Sequence, residues 1–239
     1  MREAPLVELV AHTPDPLRVI YLAGRVCYSD KELKEMLDEY TPEKAEILLH
    51  KVFKSGHHSI LEHVSFTFYI SRISRVCSHQ LVRHRIASYS QRSQRYVDEK
   101  DAGFVVPASV EDVRWAQAGQ ARAPYVYASW VYEIFYDYAV GLYKELTRAG
   151  VSKEDARYIL PQGITTTLLM TINLRSLVNF VGLRLCNRAQ QEIRDLANAM
   201  KDCIVNDFPE FAFTLKPRCE HLGYCPEEKG CGKYPKKDE

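Results

Sequence analysis

Six arginines, no lysine and no Asp or Glu lie between His63 and Val97. Inside that stretch runs Arg83-His84-Arg85-Ile86-Ala87-Ser88-Tyr89-Ser90-Gln91-Arg92-Ser93-Gln94-Arg95, which gathers guanidinium forks, an imidazole and hydroxyls. A planar fork grips phosphate or carboxylate oxygens in pairs and stacks on flat rings, which an ammonium does not do. Arginines free of competing carboxylates call for an anionic ligand, and a phosphorylated one fits best. A second acid-free, lysine-free stretch runs from Ala156 to Gln191 and holds Arg157, Arg175, Arg184 and Arg188. Helical segments elsewhere mix signs, as Lys31 to Glu39 and Lys144 to Arg148 do. The charge is therefore focused, and the two stretches together suggest one electropositive site.

Other reactive residues leave their chemistry more open. Gly56 to His63 carries His57, His58 and His63 beside Glu62. Histidine with a carboxylate can ligate zinc or iron, but the spacing is not that of a helical two-histidine zinc motif. Polar contacts to a ligand, or a loop closing over one, are the preferred reading, and no metal is expected. Of seven cysteines, Cys27, Cys77, Cys186 and Cys203 sit among apolar residues and read as small buried hydrophobes. Cys219, Cys225 and Cys231, with His221 between them, leave zinc, a disulfide and free thiols open.

Composition narrows the classes. The chain has 239 residues, 46% of them hydrophobic, 26% charged, and a net charge of +1. That balance is ordinary for a globular protein and argues against a broad basic coat for nucleic acid. A nucleic-acid module using only the arginine stretches is the alternative, and it would bind with steep salt dependence and carry no chromophore. No apolar run approaches the roughly 20 residues of a bilayer span, so a cytoplasmic, non-membrane protein is expected. Neither Gly-x-Gly-x-x-Gly nor Gly-x-x-x-x-Gly-Lys occurs, which on residues alone argues against a dinucleotide cofactor.

The elements that must position these residues follow from pattern. Pro5 to His12 and Val64 to Ser71 read as strands, the latter alternating Phe66, Phe68 and Ile70 with polar residues. Asp15-Pro16 and Thr41-Pro42 open helices, with Ile47, Leu48 and Val52 as the stripe of the second. Ser74 to Arg83 reads as a helix placing Arg75, His79 and Arg83 on one face. Tyr125 to Arg148 reads as a long helix offering Tyr127, Trp130, Val131, Phe135, Tyr138 and Leu142 for packing. Ser152 caps a short helix, Thr165 to Ile172 is a β-branched strand, and Leu174 to Cys186 and Arg188 to Asn206 are helical. Along the first of those two helices, Arg175 and Asn179 share a face while Arg184 projects from nearly the opposite side. Either the helix deforms near Gly182, or its sides serve two ligands or two subunits. Lys233 to Glu239 reads as a disordered tail. The sum is an α+β single domain.

Arg83 to Arg95 matches Arg-His-Arg-x-x-Ser-x-x-x-x-Ser-x-Arg at every fixed position and resembles the signature of the flavin-dependent thymidylate synthases. Gly56 to His63, Arg157 with Leu160-Pro161, Asn173-x-Arg175-Ser176-Leu177 and Asn179-x-x-x-x-Arg184 are similar to that family's other blocks, in order and spacing. The resemblance implies a mostly antiparallel sheet packed by long helices. It implies a domain over residues 1–215, with 216–239 as a cysteine-containing tail segment. It also implies methylation of dUMP to dTMP, with methylenetetrahydrofolate as carbon donor and NADPH-reduced FAD as hydride source. Carried over by position, Ser59, Arg83, His84, Arg85, Asn173, Arg175 and Asn179 would contact FAD. Gln80, Arg83, Ser93, Arg95, Arg157 and Arg184 would hold dUMP, with Gln91 near both ligands and His57 a further loop residue near the flavin. Arg184 is implied as the catalytic residue that activates the uracil ring, without an essential protein nucleophile. A homotetramer with active sites between subunits is implied as well, and would account for the two-sided helix.

Overall fold

A computed structural model describes residues 4–115 and 126–237. The chain opens with β1 (Leu6–His12), α1 (Pro16–Val26), α2 (Leu33–Asp38) and α3 (Pro42–Lys54). A 3-10 turn over His58–His63 leads into β2 (Ser65–Ser74), α4 (Arg75–Leu81) and β3 (Ala87–Gln91). Next come α5 (Ala108–Glu111), the two-residue strands β4 (Arg114–Trp115) and β5 (Val126–Tyr127), and α6 (Ala128–Arg148). The chain continues through α7 (Lys153–Ala156), a 3-10 turn at Arg157–Ile159, β6 (Thr165–Asn173), α8 (Leu174–Arg184) and α9 (Gln191–Asp207). A 3-10 turn at Pro209–Phe211 and α10 (Arg218–Leu222) finish the described elements.

Helix starts obey the expected capping chemistry. Thr41 accepts from the Lys44 N–H, Ser152 from Asp155, and Asp15, at φ 46, from Arg18. Each side chain satisfies an N–H that the first turn leaves unpaired. The expected start at Tyr125 of the long helix lies outside the described residues.

Four strands form an antiparallel sheet in the order β1-β2-β6-β3. In the central pair Ser74 faces Thr165 at one end and Ser65 faces Asn173 at the other. Phe66, Phe68 and Ile70 point into the core, and a register shift between Ile70 and Ile73 returns Ile73 to it. Arg72 absorbs the irregularity with φ 60. That apolar face packs against Phe180 and Val181 of α8 and Leu196 and Met200 of α9.

Two helical faces differ from expectation. On α3 the buried residues are Ala45, Leu49 and Val52, and Ile47 is exposed. On α6 they are Ala128, Tyr136, Ala139 and Tyr143, whereas Trp130, Ile134, Phe135, Tyr138 and Leu142 are exposed. Hydropathy alone marks residues that would gain from burial, not which side the chain covers. The end of the described chain is also more ordered than expected. Cys225 pairs with Lys236 in a parallel bridge and donates its N–H to Pro235 O at 2.7 Å.

One buried carboxylate locks the β2–α4 corner to α9. Glu192 accepts from the Ser74 N–H and the Ser74 hydroxyl, each at 2.6 Å, while Ser74 Oγ caps α4 through the Cys77 N–H. Glu192→Ala strands two buried donors and should cost about 3 kcal/mol. Glu192→Gln should cost less, and urea unfolding of both variants measures the difference.

Candidate active site

Strand β3 divides the arginine signature between the two ends of the sheet. Its first residue, Ala87, pairs with Ile172 near the end of β6, and its last, Gln91, pairs with Leu168 nearer the start. Arg83 to Arg85 therefore enter from the Asn173 end, and Ser93 and Arg95 leave towards the Thr165 end. At the usual strand rise, Ala87 and Gln91 alone are about 14 Å apart. The single electropositive site expected from the two acid-free stretches is, within one chain, two sites.

At the Asn173 end lies a cleft of about 1620 Å³ lined by Arg83, His84, Arg85, Asn173, Arg175, Asn179 and Arg184, among others. The loop before β3 is held by Tyr89, whose hydroxyl donates towards Leu81 O at 3.0 Å and His84 O at 2.8 Å. Asn173 caps α8 by accepting the Ser176 N–H at 2.8 Å, which leaves its amide NH2 for other work. Arg175 is ion-paired with Glu62 of the 3-10 turn. Asn179 accepts from Arg218 at 3.1 Å.

Arg184 donates from Nε to Nε2 of His84 at 3.0 Å. The imidazole, set edge-on against Phe180 at 4.9 Å, must then be neutral with its proton on Nδ1. Burial, helped by the Arg184 charge, pulls His84 down to about 4, in agreement. Arg184 thus lines the same cleft as Arg175 and Asn179, although the helical projection set it nearly opposite. It stands at the last residue of α8, where the cleft reaches around the helix end. Gly182 does not deform the helix; a Cβ there would meet Arg218 Cγ at 3.3 Å, so glycine admits the C-terminal segment.

The Thr165 end gathers Ser93, Arg95 and Arg157 around Glu154. Arg95 grips its carboxylate at 2.7 and 3.2 Å, and Arg157 donates from Nε to the Glu154 carbonyl at 3.0 Å. The Ser93 hydroxyl accepts the Arg95 N–H at 3.3 Å. Gln91 donates to the hydroxyls of Ser78 and Thr166 at 3.0 and 3.1 Å. Burial lowers the pKa of half-buried Arg75 on the same side, and its Nη1 has no hydrogen-bond partner.

Other expected residues lie outside both groups. Ser59 is exposed in the 3-10 turn whose His58 and Glu62 line the cleft, and Gln80 donates to Gln190 at 3.4 Å. Arg83 lies beyond the end of α4 and does not share a helical face with Arg75 and His79. Sequence reasoning missed Glu62 and Glu154, the carboxylates that pair with the site arginines. Each lies just outside an acid-free stretch, and Glu154 reads simply as a first-turn acid.

Among the described residues the seven cysteines are unbridged, and no three His, Cys, Asp or Glu side chains form a metal-binding group. His221 instead bonds Thr214 O at 3.1 Å and stands by Phe53. Cys77 is fully buried, and burial pushes its thiol well above its usual range. No helix among the described residues is long and apolar enough to cross a membrane.

Arginine forks at both ends of one small antiparallel sheet give this α+β fold two groups suited to phosphorylated ligands. Residues 8–210 match the family model for thymidylate synthase complementing protein. Flavin-dependent thymidylate synthases from Nitratidesulfovibrio vulgaris and Geobacter sulfurreducens are 40% and 42% identical. The first alignment covers 98% of this chain and 97% of that relative, the second 95% and 94%. A crystal structure of PolB, a UMP/dUMP methylase from Streptomyces cacaoi bound with 5-Br dUMP, superposes with a TM-score of 0.73 at 28% identity. It covers 91% of this chain and 97% of its own. The chain belongs to the flavin-dependent thymidylate synthase family.

The lowered His84 value has a measurable sign. Its contribution to stability is complete above the unfolded value near 6.5 and is lost as pH falls through about 4. Urea unfolding between pH 7 and 4 should show this loss. His84→Gln, which keeps an acceptor for Arg184, should flatten it.

Proposed function

We propose that this chain methylates dUMP to dTMP in thymidylate biosynthesis in the cytoplasm, drawing carbon from methylenetetrahydrofolate and reducing power from NADPH through FAD. The carrying observation is the arginine signature split by β3 into a cleft and a separate phosphate-type group. The cleft donors suit FAD: guanidiniums for its pyrophosphate, and Asn and neutral imidazole N–H groups for its ring acceptors. When bound, FAD supplies the hydride that completes the new methyl group.

In this reading Arg83, His84, Arg85, Asn173, Arg175 and Asn179 hold the cofactor, with Ser59 joining from the 3-10 turn. Ser93, Arg95 and Arg157 receive the nucleotide phosphate, which displaces the Glu154 carboxylate from Arg95. Gln80 and Arg83 complete the nucleotide contacts, and Gln91 lies between the ligands. Arg184 is the catalytic residue. Its guanidinium, oriented through His84, stabilises negative charge developing on the uracil carbonyl and makes the ring carbon nucleophilic. Neutral His84 orients it without adding a second positive charge. No protein nucleophile takes part, and buried Cys77 is core. Residues 1–215 form the synthase domain, and 216–239 an appended segment.

Nucleotide and cofactor must touch, yet their residues stand at opposite ends of one sheet. Contact is restored if each active site takes its ends from different subunits, as in a homotetramer. The exposed aromatic face of α6 is the kind of surface such an assembly covers. Phe135→Glu should shift sedimentation towards smaller species, while an unchanged tetramer would remove α6 from the interface.

Purified protein should be yellow and should form dTMP anaerobically from dUMP, methylenetetrahydrofolate and NADPH. Arg184→Ala should keep its flavin and lose about 100- to 1000-fold in turnover. A colourless protein unable to take up FAD would overturn the reading.

A further inference from the structure

The cleft has a second set of cations to which neither the cofactor nor the nucleotide lays claim. Lys51 and Lys54 come from the last turn of α3, and Lys216 and Arg218 from the segment after Leu215. Last-turn lysines are favoured by the helix dipole and often mean no more than solvation. Here both line the cleft, three residues apart on one helical face, and among the described residues neither side chain makes an ion pair or hydrogen bond. Lys216, by contrast, is held by Glu220 at 2.8 Å in an exposed pair that an incoming anion can exchange. Between the two cation pairs lies a patch of rings. His50 stacks on Phe213 at 3.7 Å and 13°, and Phe53 stacks on His58 at 4.8 Å and 22°. Phe53 also meets Phe213 edge-on at 5.4 Å, joining α3 to the C-terminal segment. The Arg218–Asn179 bond ties that segment to α8.

Residue type separates this set from the first. The signature and α8 use arginine forks, suited to phosphates and flat rings. The second set is mostly lysine, a compact point charge on a flexible stem, which asks for no fixed fork geometry in its partner and can follow charges spaced along a mobile chain. The nucleotide phosphate has its own arginines at the far end of the sheet, and the cofactor pyrophosphate has those of the signature. Two polyanions remain among the reactants, NADPH and the folate. The charges of NADPH are clustered phosphates, whereas the folate's benzoyl ring leads into a chain of spaced carboxylates, which matches a ring patch flanked by separate point charges. We infer that Lys51, Lys54, Lys216 and Arg218 form a subsite for the γ-linked glutamate chain of methylenetetrahydrofolate, with the Phe53 and Phe213 ring patch beneath its aromatic linker. This rests on the reaction proposed above.

The test uses FAD-loaded enzyme, wild type and Lys51→Ala/Lys54→Ala, with mono- and triglutamyl methylenetetrahydrofolate. Wild type should show a KM about tenfold lower for the triglutamate, since each exposed charge pair is worth up to about fivefold. The double variant should bring the two KM values within about twofold while holding its flavin. Equal ratios in wild type and variant would overturn the subsite. So would loss of flavin from the variant, which would assign the lysines to FAD. Equilibrium binding of both folates, followed by flavin absorbance, separates the two claims. Glutamate-dependent binding lost in the variant upholds the subsite even if no dTMP forms, and only the reaction then falls.

Discussion

The antiparallel pairing of β2 with β6 is the constraint on which the site depends. Each strand runs straight into a helix, β2 into α4 and β6 into α8, so opposite directions send the two helices from opposite ends of the sheet. Had the pair been parallel, both helices would have begun at one end. β3 then crosses from one end to the other beside β6, carrying the signature with it. Separation of the two arginine groups is thus set by hydrogen-bond register, and no side-chain rearrangement can close it.

Much of this was legible in the residues. The absence of acids over two long segments marked the positive charge as placed, and caps at Asp15, Thr41 and Ser152 located helix starts correctly. The split was not legible, because Ala87-Ser88-Tyr89-Ser90-Gln91 lacks the strong apolar alternation that betrays a strand. Its regularity comes from pairing with β6 and from the Tyr89 hydroxyl closing on its own loop. Nor did helical projection place Arg184 correctly. A projection treats a side chain as a radial spoke, whereas a long guanidinium at a helix end can lean along the axis to His84. The outward face of α6 escaped for another reason: hydropathy marks apolar residues without saying which side of a helix the chain covers.

His84 shows how a small set of bonds fixes chemistry. An imidazole beside a guanidinium in a partly buried site would be repelled if charged, so it accepts a hydrogen bond instead. The arrangement aims Arg184 without setting a second positive charge directly against it. Phe180, packed edge-on against the ring, adds apolar burial that further disfavours the charged form.

Glu62 and Glu154 have a consequence for the lone, unloaded polypeptide. Without them the Arg175 and Arg95 guanidiniums would stand unneutralised and attract any stray polyanion. The two glutamates instead lend Arg175 and Arg95 a tethered counter-charge. Each can be displaced, because the pairs are half exposed and weakly held. An incoming anion succeeds only when it makes enough contacts at once to outweigh the tethered carboxylate, so isolated small anions are turned away.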